Sequence, residues 1–105
     1  MDRIERLRAK LDAEGCDAFF SLSPPANQYL AGFTGSTSAV IVTMAETFFL
    51  CDFRYTEQAG AEVMGFAVEE VTGDLVARLA ERLGNLGVRI AAFDPNSVTV
   101  AQLKT

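Results

Sequence analysis

The sequence predicts an α/β fold in which a mixed β-sheet is flanked by helices, and three observations carry that prediction. Ala39 to Val42 and Phe48 to Cys51 are apolar without alternation, the pattern of strands covered on both faces. Only Met44-Ala45-Glu46 separates them, a spacing that suits a β-hairpin with a three-residue loop. On either side of the hairpin, apolar residues recur at helical spacing: Ile4, Leu7 and Leu11 before it, and Leu75, Leu79, Leu83 and Leu86 after it.

Taken in order, Asp2 and Glu5 form a capping box for a first helix that Gly15 ends. Its Arg3, Arg6, Arg8 and Lys10 interleave with acids and read as a solvated face. Asp17 to Leu22 reads as a short buried strand, stopped by Ser23-Pro24-Pro25. A short helix over Asn27 to Ala31 should start at Pro25 or Ala26 and end at Gly32. After the hairpin, Tyr55, Ala59 and Val63 share one helical face, and Phe66 to Val71 alternates as a half-exposed strand. Thr72-Gly73-Asp74 starts the clearest helix, its leucine stripe widened by Val76 and Ala80, with Arg78, Glu81 and Arg82 toward water and Gly84 and Gly87 at its end. Arg89 to Phe93 is a last strand, closed by Asp94-Pro95. Ser97 or Thr99 then caps an expected helix through Val100 and Leu103. The strand-helix-strand unit from Phe66 to Phe93 should be parallel with a right-handed crossover.

The 105 residues make one domain or a piece of one, and mean hydropathy of +0.19 is ample for a packed core. A net charge of −5 opposes a sequence-independent grip on nucleic acid. Apolar runs of four to five residues are too short for a membrane span, and no signal segment opens the chain. Cys16 and Cys51 read as reduced, buried thiols of a cytoplasmic protein, with a disulfide between them as the other option.

The chain has no histidine, which removes the commonest general base and zinc ligand, so its serines have no partner of that kind to activate them. Carboxylates remain. Asp17, Asp52 and Asp94 fall at strand ends, where they could gather round Mg2+ in a free-standing enzyme; the plainer reading is helix caps and turns. The loop Gly32-Phe33-Thr34-Gly35-Ser36-Thr37-Ser38 lacks the spacing and lysine of a phosphate cradle, and reads as a tight turn. Arg54 either pairs with a nearby acid or meets a carboxylate-bearing ligand or another subunit.

Two motifs around the hairpin, Asn27-Gln-Tyr29-Leu30-Ala-Gly32-Phe33-Thr34-Gly35-Ser36 before it and Asp52-Phe53-Arg54-Tyr55 after it, resemble the N-terminal domain of the Xaa-Pro aminopeptidase, prolidase and creatinase family. The resemblance covers essentially the whole chain. It implies a ribonuclease H-like arrangement over 1–105, shortened at its C-terminal end. Catalysis would belong to a following pita-bread domain, absent here, that holds two divalent metal ions (manganese, cobalt or zinc). By the same resemblance this portion has no catalytic or metal-binding residue of its own. It would support a homodimer, contact its own C-terminal catalytic domain and restrict access to short proline-containing peptides. Phe33, Thr34, Gly35, Ser36, Arg54 and Tyr55 are the positions that the resemblance implies for substrate gating or subunit contact. The reading kept beside it is a free-standing ribonuclease H-like enzyme or an interaction module.

Overall fold

The computed structural model describes residues 3–35 and 37–92, together with the backbone of 100–102. Its elements run α1 (Arg3–Ala13), β1 (Ala18–Ser21), α2 (Pro24–Ala31), β2 (Ala39–Thr43), β3 (Thr47–Asp52), a 3-10 turn (Phe53–Tyr55), α3 (Thr56–Glu62), β4 (Ala67–Val71), α4 (Leu75–Asn85), β5 (Ile90–Ala92) and β6 (Val100–Gln102). The strands form one six-stranded sheet in the order β4-β3-β2-β1-β5-β6. β2 is antiparallel to both β1 and β3, while β4 is parallel to β3 and β5 is parallel to β1. β4 and β5 therefore run the same way, as the strand-helix-strand reading requires, but three strands lie between them.

The unbroken apolar runs of the hairpin divide by parity into two cores, because successive side chains of a strand point to opposite faces. Phe19, Val40, Val42, Phe49 and Cys51 pack on one face with Leu11 of α1, Leu30 and Ala31 of α2, and Ala59 of α3. Ala18, Ala39, Ile41, Phe48 and Leu50 pack on the other with Leu79 and Leu83 of α4. Each large apolar side chain buried here contributes about 1.5–3 kcal/mol relative to exposure, so both layers of helix are needed. The hairpin turn is held locally and from a distance. The Thr43 hydroxyl accepts from the Glu46 N–H at 2.8 Å, and Arg8 of α1 donates from Nε to the Thr43 carbonyl at 2.7 Å. Arg3 likewise donates to the Tyr29 carbonyl and lies over the Tyr29 ring. The first helix thus uses two of its bases as clamps, where the sequence suggested only a solvated face.

Three further expectations change. Val76 and Ala80 do not widen the α4 stripe: both are exposed, since Leu79 and Leu83 already fill the space beneath β2 and β3. Arg78 and Arg82 do not simply face water. Both pair with Glu69 of β4, at 2.7 Å and 3.1 Å, and Arg82 lies over the Phe48 ring. Asp74, within the expected Thr72-Gly73-Asp74 start, caps α4, accepting from the Val76 and Ala77 N–H groups. Gly84 lies within α4, and Gly87, at φ +73°, supplies the left-handed residue beyond its end.

The largest correction is at the C-terminal end. Val100–Gln102 is a strand and not part of a helix, antiparallel to β5 with Ala101 opposite Ala91. Pairing with a strand already seated in the sheet outweighs the weak helical spacing of Val100 and Leu103. Asp2, Ser36, Phe93, Asp94, Ser97, Thr99 and Leu103, on which other expectations fall, lie outside the described residues.

Candidate functional site

The loop between α2 and β2, the 3-10 turn after β3 and helix α3 meet at one end of the sheet. Helix α2 stops because Gly32 takes φ +85°, a left-handed conformation that glycine adopts without penalty. A side chain there would also crowd the Glu62 carbonyl, since a Cβ would lie 3.1 Å from it. The following residue, Phe33, turns fully inward. Its ring stands edge-on to Phe49 at 4.9 Å and to Tyr55 at 5.8 Å between centroids. Gly35 then folds back over that ring so closely that an added Cβ would sit 2.4 Å from two of its carbons.

Both ends of the loop are tied. Thr34 donates its backbone N–H at 2.8 Å and its hydroxyl at 2.9 Å to the Glu62 carboxylate, which Gln58 also reaches from one turn earlier on α3. These donors, the Thr34 N–H foremost, hold the Glu62 carboxyl below the usual carboxylate range. At the other end, the fully buried Asn27 donates from Nδ2 to the Ser38 hydroxyl at 2.7 Å and the Ser38 carbonyl at 3.1 Å.

Asp52 caps the 3-10 turn by accepting from the Arg54 N–H, and its carboxylate pairs with the Arg54 guanidinium at 2.7 Å. The Arg54 side-chain bond is the main reason Asp52 is held low. Arg54 thus takes the intradomain ion pair, yet its side chain stays 63% exposed and lies over the Tyr55 ring at 5.5 Å. Neighbouring Phe53 is 74% exposed, unusual for a phenylalanine beside a core.

Of the six positions singled out in the sequence, Phe33, Gly35, Arg54 and Tyr55 are brought together, Thr34 joins them through α3, and Ser36 lies outside the described residues. The residues that fasten the loop were missed. Gln58 and Glu62 give a faint signal as an i, i+4 polar pair, and Asn27 stands in the first motif without a stated role.

Asp17 and Asp52 do not converge. Asp17 precedes β1 and receives the Arg89 and Ile90 N–H groups, whereas Asp52 ends β3, which runs in the same direction. They therefore lie at opposite ends of the strands, which removes the carboxylate-cluster reading of a ribonuclease H-like enzyme for this pair. Among the described residues no group of three or more His, Cys, Asp or Glu side chains is placed to hold a metal ion.

Comparison with known proteins now decides the family. Residues 3–105 match the model of the creatinase/prolidase N-terminal domain. This chain belongs to that family. The creatinase/prolidase N-terminal domain described here is 34% identical over 97 residues to the uncharacterized peptidase YqhT of Bacillus subtilis, covering 92% of this chain and 28% of that protein. It is 30% identical to the Xaa-Pro dipeptidase from Bacillus anthracis, with a TM-score of 0.82, over 91% of this chain and 27% of that one. It is also 30% identical to the N-terminal domain of cytoplasmic peptidase PepQ from Mycobacterium tuberculosis H37Rv, with a TM-score of 0.80, over 92% of this chain and 75% of that one. The chain therefore spans little more than a quarter of YqhT and of the dipeptidase. No helix among the described residues is long and apolar enough to cross a membrane.

Proposed function

We propose that this creatinase/prolidase N-terminal domain is the non-catalytic part of a cytoplasmic Xaa-Pro aminopeptidase or dipeptidase. Bond cleavage belongs to a catalytic domain joined to it, which holds two divalent metal ions such as manganese, cobalt or zinc. The observation that supports this most is the family match across 3–105, in a chain whose described carboxylates do not form a metal site. The described residues do not fit a metal pair, so no step of the chemistry is assigned to them.

What they offer is a rim. Phe53 presents an exposed ring, and Asp52 occupies the Nε and Nη2 side of Arg54, leaving Nη1 without a hydrogen bond among the described residues. In a homodimer this rim, with the loop from Phe33 to Ser38, faces the substrate entrance of the partner subunit. There it restricts entry to short proline-containing peptides, and Arg54 meets the peptide's C-terminal carboxylate, a pairing that the guanidinium fork suits. The test is steady-state kinetics of the two-domain peptidase with a Xaa-Pro dipeptide and its C-terminal amide. Arg54→Met should raise KM about tenfold for the free acid and little for the amide, the scale of one charge-assisted hydrogen bond. An equal effect on both removes Arg54 from carboxylate recognition.

A further inference from the structure

The loop from Phe33 to Ser38 is tied by side chains at both of its described ends. Glu62 lies on the last turn of α3 and is partly exposed, yet its Oε1 accepts both the N–H and the hydroxyl of Thr34, and Oε2 lies 3.1 Å from that hydroxyl. Gln58, one turn back, donates to both Glu62 oxygens and to the Thr34 hydroxyl, so the carboxylate is oriented from behind as well as from in front. At the far end Asn27 holds Ser38 by two bonds from its Nδ2 in a wholly buried setting. Between the two ties Gly35 rests on the Phe33 ring.

We infer that Glu62 and Asn27 are positioning residues, which hold the described ends of this loop, 33–35 and 37–38, in place, so that the rim selects its substrate as a fixed edge and not as a flap that closes. The inference rests on the gating role proposed above for its kinetic consequence, but its structural half does not. A loop that closed over substrate would have to give up the Thr34 bonds to Glu62 and Gln58 at one end and the two Asn27 bonds to Ser38 at the other, and lift Gly35 off a ring wedged between Phe49 and Tyr55. A fixed edge has none of that cost, and it discriminates by shape before any contact is made.

Hydrogen exchange of this chain, read residue by residue, tests the structural half. In the wild type the Thr34 amide should be protected. Glu62→Ala should speed its exchange about tenfold or more, by local opening, with amides of β2 and β3 unchanged. Glu62→Gln, which keeps an acceptor, should restore most of the protection, and Ser38→Ala should loosen only the Ser38 end. Unchanged Thr34 exchange in Glu62→Ala, or acceleration spread evenly through β2 and β3, overturns the inference. In the two-domain peptidase, Glu62→Ala should raise KM severalfold at constant kcat, with Glu62→Gln close to wild type; a loosened loop with unchanged KM overturns the positioning role. A wild-type two-domain protein without Xaa-Pro activity would instead overturn the functional reading, and the exchange result would stand.

Discussion

Replacing Gly35 by alanine should destabilise the domain through packing alone. The added Cβ would lie 2.4 Å from Cε2 and Cζ of Phe33 and 3.3 Å from Cδ1 of Tyr55. Ordinary carbon contact begins near 3.4 Å, so the ring or the loop must move by about 1 Å. Phe33 has little freedom to move, because it is fully buried between the Phe49 and Tyr55 rings. Overpacking of this kind costs about 1–3 kcal/mol. For a domain of this size each kcal/mol lowers Tm by roughly 4–8 °C, so thermal unfolding should shift down by about 5–20 °C. Backbone strain is not involved, since Gly35 is not among the glycines with positive φ. Two controls isolate the cause. Gly84→Ala, in helix α4 with open space around it, should instead raise stability by about 0.5–1 kcal/mol. Combining Gly35→Ala with Phe33→Leu, which shortens the obstructing side chain, should cost less than the sum of the single changes. A Gly35→Ala protein that melts with the wild type, or a pair of changes that add without interaction, would refute the packing argument.

Other outcomes follow from the same contacts. Leu83→Ala, at 3% exposure on the sheet-facing side of α4, should cost about 2–5 kcal/mol, whereas Val76→Ser, at 58% exposure on the same helix, should stay within about 0.5 kcal/mol in urea unfolding. A large Val76 effect would restore the wider stripe that the spacing suggested. Asp52 and Glu62 are both held below their ordinary range, by the Arg54 side chain and by Thr34 respectively. Their stabilising contribution is present above the unfolded carboxylate pKa of about 4 and is lost as pH falls through the lower folded values. Stability should therefore decline on acidification below about pH 4–5, and Asp52→Asn with Glu62→Gln should flatten that decline. Urea midpoints measured from neutral pH down to pH 3 check it, and identical slopes in variant and wild type would contradict it.

The parts of this fold that were legible in the sequence are those whose signal is local. The hairpin follows from two four-residue apolar runs and a three-residue gap, and the parity of those runs assigns Phe49 and Cys51 to one core and Phe48 and Leu50 to the other. Gly32 announces the end of α2 because few other residues tolerate its conformation. Strand β6 was hidden, since a three-residue strand exists only through its partner β5, and Val100 and Leu103 equally fit a helical face. The Arg8 clamp on the hairpin turn joins residues 35 positions apart, and Thr34 meets Glu62 across 28. No window of local sequence contains both partners, so these ties emerge only once the sheet has placed α1 and α3. For the same reason Phe33, Gly35, Arg54 and Tyr55 could be singled out by motif, while Gln58 and Glu62, which hold the Thr34 end of their loop, could not.

The most direct measurement is made on the purified 105-residue chain, incubated with Mn2+ and a Xaa-Pro dipeptide and assayed for released amino acid, with metal affinity read by calorimetry. The account predicts no turnover and no tight metal binding, with activity arising only when a catalytic domain is joined to it. Hydrolysis by this chain alone, with Mn2+ held at a site within it, would contradict the assignment of chemistry to another domain.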